Sequence, residues 1–398
     1  MHSNRKLNIY FFGETGEYDS LSPAYVCKMD YAKEILLIIA KYDPYEFTDF
    51  DIAKRLNIDS SELKGVISSL LLIGAIEKKE DKFKICFPVF LKDDVSCMEK
   101  ALNGVCSDIT NKITNLKYKL LPIVSKFKCS QLFSIERVLY HIICDSVFDG
   151  TAFDFFEEKK LFCTSKKQPG NRDYLIVGYE DCKEVEISSN KLLCSSNNYR
   201  CNGVIFNSFG DSDGLRKDMY RFSRIFVENP KKIPLLINIK NLPQDILSEN
   251  INNIVTRCAK LSKEVLNSNL CWDSLNEDDY VTACLLHELG YINSNEKSRL
   301  ISLEVPVIFS DEMQLISKIS DIILNEIYEI VKSCFDNFSS YNDKLTSIKH
   351  GVDIKELGNE LWHQIFGFTN EMLVKCEFVQ KPIYYKNEGR YLRSMVIQ

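Results

Sequence analysis

Few residues of this sequence have the types and spacing that catalysis requires. His141 and Cys144 are three positions apart, about one helical turn, which is the proximity that a Cys–His nucleophile pair needs. The residues around them, Val138, Ile142 and Ile143 among them, are apolar. This pattern favours a buried histidine satisfied by a backbone or carboxylate partner over an active site.

Two other patterns point weakly to bound ions. Asp211-Ser212-Asp213-Gly214 resembles the start of a calcium loop, but the later acidic ligand of an EF-hand is missing, so we expect this stretch to cap the next helix. Cys194 and Cys201 have six residues between them, which is a loose spacing for a metal site. The chain has 15 cysteines and no Cys-x-x-Cys pair, which indicates reduced, buried thiols, with redox or soft-metal sensing as the alternative.

Motifs for other catalytic classes are missing from the sequence. There is no Gly-rich phosphate loop and no His-Glu-x-x-His, and the chain holds only five histidines. We therefore predict a protein that is not an enzyme and that carries no metal or other cofactor.

Composition places the chain among ordinary globular proteins. Of 398 residues, 45% are hydrophobic and 27% charged, and 50 basic against 56 acidic side chains give a net charge of −6. This balance disfavours a protein that coats nucleic acid through bulk charge, although a local basic face is compatible with it. No signal peptide and no apolar run of about 20 residues is found, which predicts a cytoplasmic protein without a membrane partner.

The first region with clear periodicity runs from about residue 29 to 90. Helical spacing of apolar residues predicts a helix over 31–42, a short helix capped by Thr48, and a longer helix that starts at Asp59 or Ser60 and ends at Gly74. Residues 75–77 and 83–85 then read as two strands joined by a charged turn.

This order of elements is that of a winged helix-turn-helix. The stretch IAKRLNIDSSELKGVISSLLLIGAIEKKEDKFKI resembles the DNA-binding cores of bacterial winged-helix transcription regulators. The resemblance implies that the longer helix enters the major groove and that the wing reaches phosphates. The residues expected to contact DNA are Ser60, Ser61, Lys64 and Ser68 on the helix, and Lys78, Lys79 and Lys82 on the wing.

The central segment, 181–250, contains a second group of basic residues. Arg216, Lys217, Arg221 and Arg224 recur at spacings that place most of them on one side of a predicted helix. We include Arg216 and Arg221 among the candidate DNA-binding residues, with a solvated face paired to nearby carboxylates as the alternative.

The same plan occurs twice along the chain. Gly74 corresponds to Gly290, and Phe87-Pro88-Val89 corresponds to Val305-Pro306-Val307, each time before a long amphipathic helix. The predicted fold class is α+β and mostly helical, with tandem winged-helix modules in an internally duplicated chain. The predicted domains are a first winged helix at 25–95, a helical and strand-pair unit at 96–180, the central segment at 181–250, a second winged helix at 251–312 and a second helical and strand-pair unit at 313–398.

Two functions from different classes fit these patterns. One is a transcription regulator that binds double-stranded DNA as a monomeric pseudo-dimer or a homodimer, in one version responding to a small-molecule effector or to redox state. The other is a protein- or peptide-binding adaptor. The adaptor is favoured by the acidity of the first module, which has ten basic and thirteen acidic residues over 30–94, and by the Glu277-Asp278-Asp279 start of the second reading helix.

Overall fold

The computed structural model describes residues 5–190, 192–228, 250–294, 299–340 and 345–398. Up to residue 158 the elements are β1 (Leu7–Glu14), α1 (Pro23–Val26), α2 (Ala32–Ala40), α3 (Asp49–Leu56), α4 (Ser60–Leu72), β2 (Ile76–Lys79), β3 (Lys82–Ile85), β4 (Val89–Phe90), α5 (Lys92–Asn115), α6 (Lys117–Val124), α7 (Ile135–Leu139), a π-helix (Tyr140–Thr151) and α8 (Ala152–Glu158).

The rest of the chain continues the mixture of helices and short strands. From residue 167 onward the elements are β5 (Lys167–Gln168), β6 (Arg172–Glu180), α9 (Lys183–Asn190), β7 (Leu193–Cys201), β8 (Val204–Asp211), α10 (Met219–Glu228), α11 (Ile251–Asn267), α12 (Glu277–Glu288), β9 (Ile292–Ser294), β10 (Ile301–Leu303), β11 (Val307–Phe309), α13 (Met313–Ser339), α14 (Thr346–Lys349), α15 (Ile354–Lys375), β12 (Tyr384–Tyr385) and β13 (Gly389–Ile397). The fold is α+β and mostly helical, as predicted. Within the described ranges, none of the helices has the length and apolarity needed to cross a bilayer.

The chain divides into two compact units, each assembled from three separated stretches. The first unit comprises residues 1–109, 152–190 and 324–368, and the second comprises 110–151, 191–323 and 369–398. The sequence instead predicted consecutive domains. Two predicted features fall partly outside the described residues: the central segment over 229–249 and the tip of the second wing over 295–298.

In the first unit, β6 is the central strand of a four-stranded sheet. It pairs antiparallel with β1, parallel with β4 and antiparallel with β5. Tyr174 and Ile176 of β6 and Leu7 of β1 belong to the same buried cluster as the apolar faces of α2, α3 and α4. The helices that resemble a winged helix and the sheet therefore share one hydrophobic core.

In the second unit, β13 has the same role as β6 in the first. It pairs antiparallel with β8, parallel with β11 and antiparallel with β12. One strand is added, because β7 pairs antiparallel with the outer edge of β8. The core cluster of this unit joins residues of β8 and β13 to the apolar faces of α10, α11 and α12.

The two sheets have the same register as well as the same strand order. Gly13 lies opposite Tyr174 in the first sheet, and Gly210 lies opposite Tyr391 in the second. Four residues further along the central strand, at Gly178 and at Met395, the parallel partners are Val89 and Val307. These two valines are a pair that the sequence comparison had already matched.

Hydrogen bonds at the two wings also correspond. After α4 and α12 the chain turns through glycines in the left-handed region, Gly74 (φ 67°) and Gly290 (φ 72°). Ala75 N–H then donates to Leu70 O at 3.0 Å, and Tyr291 N–H donates to Leu286 O at 2.9 Å. Isolated bridges, Thr48 to Lys82 and Cys271 to Leu300, add a third short strand to each wing.

We predict that Gly210→Ala destabilises the protein by about 1–3 kcal/mol, because the new methyl overpacks the sheet. A Cβ on Gly210 would lie 2.0 Å from Arg390 O and 2.6 Å from Tyr391 Cβ. Gly104→Ala is the matched control: Gly104 lies within α5, where a Cβ meets no atom within 4 Å, so this change should stabilise by about 0.5–1 kcal/mol. Thermal unfolding measures both, and equal melting temperatures for the two variants would contradict this account of the close strand approach.

Candidate nucleic-acid interface

The turn between α3 and α4 is fixed by three local side-chain features. Thr48 Oγ1 accepts a hydrogen bond from Asp51 N–H (3.2 Å) and Asp51 Oδ2 accepts one from Thr48 N–H (3.1 Å), which forms a capping box at α3; Thr48 Oγ1 also donates to Asp51 Oδ2 (2.6 Å). Asn57 ends α3 with φ 56°, and Asp59 Oδ1 accepts from Ser61 N–H (2.7 Å) to cap α4. These hydrogen bonds lower the pKa of Asp51 and of Asp59, so both carboxylates remain charged while they cap the helices.

The α4 helix buries one face and exposes the face that the sequence predicted. Leu63, Val66, Ile67 and Leu70 are buried in the core of the first unit. Ser61, Lys64 and Ser68 are exposed at spacings of three and four, so they share one side of the helix, and Ser60 is half-buried.

Gly65 lies on the same exposed side of α4 and was not singled out from the sequence. A Cβ at this position would meet no atom within 4 Å, so packing inside the protein does not require a glycine there. Glycine within a helix costs about 1 kcal/mol relative to alanine. A helix position with this cost and no internal explanation is suited to close approach by another molecule.

The wing carries three exposed lysines with different surroundings. Lys78 Nζ lies 2.9 Å from Asp81 Oδ1, and this hydrogen bond raises the pKa of Lys78. Lys79 Nζ lies 5.8 Å from the centre of the Tyr45 ring. Lys82 is exposed, and its charge helps to lower the pKa of Asp51 at the start of α3, after the hydrogen bonds from Thr48.

A group of polar contacts at the base of the β2–β3 hairpin fixes the orientation of the hairpin. Tyr45 Oη donates to Glu77 Oε1 at 2.5 Å, and Lys84 Nζ lies 3.2 Å from Glu77 Oε2. Both bonds lower the pKa of Glu77, the one from Tyr45 contributing most. The hydroxyl and the ammonium thus hold β2 and β3 against the loop before α3.

A segment distant in sequence, α14 with His350, attaches to the first winged module inside the same unit. Ile85 N–H donates to His350 Nδ1 (3.1 Å), so the ring proton is on Nε2, which donates to Tyr42 O (3.1 Å). Ser347 Oγ accepts from Val89 N–H and donates to Val89 O, both at 2.8 Å. Sequence reasoning missed these contacts, because no periodicity or motif joins residues more than 250 positions apart.

Burial lowers the pKa of His350, and the charges of Lys349 and Lys84 lower it further. These two lysines are themselves paired, Lys349 with Asp43 and Lys84 with Glu77. A neutral ring is required by the bonds that it makes, since a proton on Nδ1 would face the Ile85 N–H. The wing therefore depends on an uncharged histidine.

We predict that this histidine makes the protein less stable in acid. The folded pKa lies below the unfolded value of 6.5, so the stabilisation is complete above pH 6.5 and is lost as the pH falls through the folded pKa. The loss of stability therefore begins as the pH falls below about 6.5, the unfolded value. Thermal unfolding of wild type and of His350→Gln checks this.

The difference in melting temperature between wild type and His350→Gln should shrink as the pH falls, because only the wild type loses the neutral ring. A difference that is constant over the same pH range would contradict the role given to His350. Buried His141 has a lowered pKa of the same sign and is present in both proteins, so it cancels in this comparison.

Arg216 and Arg221, the two predicted DNA-binding arginines of the central segment, lie in the second unit. The position of Arg216 contradicts the prediction. Arg216 is only 1% exposed, and its guanidinium donates to the carbonyl oxygens of Ser195 (2.7 Å), Ser208 (2.8 Å) and Asp211 (2.8 Å). The prediction that Arg216 contacts phosphates is therefore wrong, because its donors hold β7 and β8 together. The helix begins only at Met219, so Arg216 precedes the predicted helical stripe.

Arg221 lies in the first turn of α10 and is half-buried, so its contact with DNA stays a prediction. Its N–H donates to Asp218 Oδ1 at 2.7 Å, and Asp218 is thus the residue that caps this helix. The predicted cap in the Asp211–Gly214 stretch is wrong. Asp211 instead accepts hydrogen bonds from Arg390, including one of 2.7 Å from Nη2.

A buried carboxylate cluster of the second unit was also missed. Asp145 of the π-helix accepts hydrogen bonds from Ser196 Oγ (2.5 Å) and Asn207 Nδ2. Burial raises the pKa of Asp145, and the charge of buried Arg216 opposes that rise. The cluster joins the π-helix to β7 and β8, which makes it a structural network of the sheet.

The other residues that the sequence offered for catalysis or metal binding are either buried or separated from each other. His141 is 1% exposed, and both ring nitrogens lack a hydrogen-bond partner among the described residues, unlike the satisfied histidine that the sequence predicted. Burial also raises the pKa of the Cys144 thiol well above its usual value, which opposes thiolate formation. Cys194 and Cys201 stand at opposite ends of β7.

Cysteines and other potential metal ligands form no clear binding site in the described part of the chain. All fifteen cysteines are free, and most are buried or half-buried. Among the described residues, no group of three His, Cys, Asp or Glu side chains has a geometry suited to a metal ion.

The region of α11 and α12, where the sequence predicted a second winged helix, presents a different surface. Glu277 and Asp278, in the first turn of α12, are exposed. An open cleft of about 420 Å³ lies beside them, lined by Arg257, Lys260, Asn276, Glu277, Asp278 and Asp279. The carboxylates of the first turn are suited to the positive end of the helix dipole and oppose the approach of a phosphate.

No family model matches this chain, and no curated protein or solved structure is detectably similar to it. The function must therefore be inferred from the chain's own residues and geometry.

Proposed function

We propose that this protein binds double-stranded DNA through its first winged module and acts as a transcription regulator. The observation that carries the proposal is the exposed side of α4 and the wing. Ser61, Lys64 and Ser68 share one helix side, and Lys78, Lys79 and Lys82 project from the adjoining β2–β3 ladder. Backbone phosphates would supply most of the affinity through these lysines, and α4 would supply modest base readout.

Two further features support this assignment. Two of the acidic side chains that oppose DNA binding, Asp51 and Asp59, accept the capping hydrogen bonds of α3 and α4, which gives them a reason to be there. Gly65 leaves open space on the exposed side of α4, so a phosphate or sugar could approach the helix backbone.

The proposal includes the internal duplication and the second winged module. The matched registers of the two sheets and the matched hydrogen bonds after Gly74 and Gly290 support two copies of one ancestral plan. Among the described residues, the first copy has lysines at its proposed reading surface, Lys64 on α4 and Lys78, Lys79 and Lys82 on the wing. The second copy has become acidic at the corresponding helix start.

A second candidate function follows from that acidic module. Exposed Glu277 and Asp278, beside a cleft that also holds Arg257 and Lys260, form a mixed-charge surface of the kind that binds a protein or peptide. On this view the second module is an adaptor for a partner protein.

DNA binding is tested by fluorescence anisotropy with a duplex from the region upstream of the protein's own gene and with a scrambled duplex, at about 50 and 200 mM salt. We expect salt-sensitive binding, with preference for the upstream duplex. The double change Lys78→Glu with Lys79→Glu should weaken binding to both duplexes by roughly tenfold or more and lower the salt slope by about one for each phosphate that is no longer neutralised. Lys79→Glu alone and Lys100→Glu, on the exposed side of α5, each reverse one charge and form the matched pair that controls for bulk charge.

Absence of binding to either duplex at low salt would contradict the proposal. Equal weakening by Lys79→Glu and Lys100→Glu would show that bulk charge, and not the wing, determines the affinity.

We predict that Gly65→Ala raises stability and lowers DNA affinity. The methyl should stabilise α4 by about 0.5–1 kcal/mol, and it should obstruct the close approach of DNA and weaken binding several-fold. Gly104→Ala offers the same stabilisation in α5 without touching the proposed interface. Melting temperature and anisotropy, measured on both variants, separate the two effects. A Gly65→Ala protein with wild-type affinity would exclude Gly65 from the interface.

A further inference from the structure

One edge of the sheet in the first unit is open. β1 pairs with β6 on one side, and within the described ranges no strand pairs with its other side. The corresponding strand of the second unit is β8, and there β7 covers that edge from Leu193 to Cys201. The first unit has no strand equivalent to β7 in the described chain.

β1 and β8 also differ in burial, as expected if only β8 is covered by a neighbouring strand on its outer edge. Seven of the eight residues of β8 are buried, whereas β1 has only Leu7 buried. Tyr10 is 50% exposed, and Gly13 and Glu14 are also exposed. From Leu7 to Phe12 the strand is rich in aromatic and branched side chains and carries no charge. A long edge of this kind is a template for pairing with another strand.

The direction of the free hydrogen-bonding groups follows from the ladder. Asp181 N–H donates to Lys6 O at 2.9 Å, which makes Lys6 and Asp181 a hydrogen-bonded pair. Because such pairs alternate in an antiparallel ladder, the even-numbered residues of β1 direct their backbone groups toward β6. The N–H and C=O groups of Leu7, Ile9 and Phe11 therefore point outward.

The edge is complementary to itself in one antiparallel register. When Tyr10 lies opposite Tyr10 of a second copy, Ile9 lies opposite Phe11, so the outward backbone groups of these residues meet at both sides of the axis. The same register places Lys6 opposite Glu14 at both ends of the pair. Neither side chain has an ion pair within its own chain among the described contacts, so both charges are available to a partner.

We propose that β1 is a homodimer interface at which the β1 strands of two copies pair antiparallel about a two-fold axis through Tyr10. The pairing joins two four-stranded sheets into one continuous sheet and satisfies the outward backbone groups of both copies. The two copies exchange identical contacts, so the interface closes and adds no further chains.

This interface bears on the proposed function without depending on it. If only the first module of each chain binds DNA, pairing through β1 gives the assembly two copies of α4 and its wing, related by two-fold symmetry. DNA sites with two-fold symmetry are read by such pairs.

The oligomeric state is measured by light scattering coupled to size exclusion, without DNA, at about 1–100 µM, a range that covers micromolar dissociation constants. We expect a mass twice the 46.0 kDa of the chain. Tyr10→Lys should shift the protein to monomer, because two like charges then meet at the axis. Tyr118→Lys is the matched control, since Tyr118 is 70% exposed on α6.

A charge exchange tests the register itself. Lys6→Glu alone and Glu14→Lys alone each place two like-charged pairs in the interface and should raise the dimer dissociation constant by roughly tenfold. The double variant restores opposite charges and should restore the dimer. Circular dichroism melts verify that each variant is folded, and the exchange remains informative if Tyr10→Lys destabilises the sheet.

A wild-type monomer at all concentrations would overturn the proposal, including the case in which the β1 edge serves a different partner. A dimer insensitive to Tyr10→Lys and to both single charge changes would also overturn it, since the contact would lie elsewhere. Failure of DNA binding leaves these measurements unchanged, so the two proposals fail separately.

Discussion

The fold depends on one constraint: each central strand must satisfy backbone groups on both of its edges. In the first unit β6 does so with β1 on one side and β4 on the other, which brings together residues 7–14, 89–90 and 172–180. In the second unit β13 does so with β8 and β11, joining residues 204–211, 307–309 and 389–397. The compact units are discontinuous in sequence because these pairings are.

Local physics made the helices and strands from α3 to β3 predictable. Apolar residues of α4 recur with the period of a helix, Thr48 and Asp59 are good capping residues, and Gly74 terminates the helix, so sequence and structure agree closely there. The matched Pro-Val segments before the long helices also contain residues of β4 and β11, the strands that make the two parallel pairings. These features involve neighbours in sequence or a direct comparison of two similar stretches.

The incorrect or missing predictions concern residues whose environment is set by contacts with distant parts of the sequence. Arg216 was predicted to belong to a basic helix, but the helix starts three residues later and the guanidinium is buried under strand carbonyls. β1 had no strand partner that the sequence could indicate, because β6 follows more than 150 residues later. The attachment of His350 to Ile85 was invisible for the same reason. In the candidate interface, the exposed positions were predictable, whereas the contacts that orient the wing were not.

The attachment of α14 and His350 to the first winged module also sets a schedule for biosynthesis. Ribosomes add roughly 5–20 residues per second, so the segment at 346–350 follows β3 and β4 by about 13–52 seconds. During that interval the module has its own helices and wing strands, while Val89 and Ile85 lack the partners that Ser347 and His350 later supply. The backbone groups of Ile85 and Val89 therefore gain these partners only after more than 250 further residues have been synthesised.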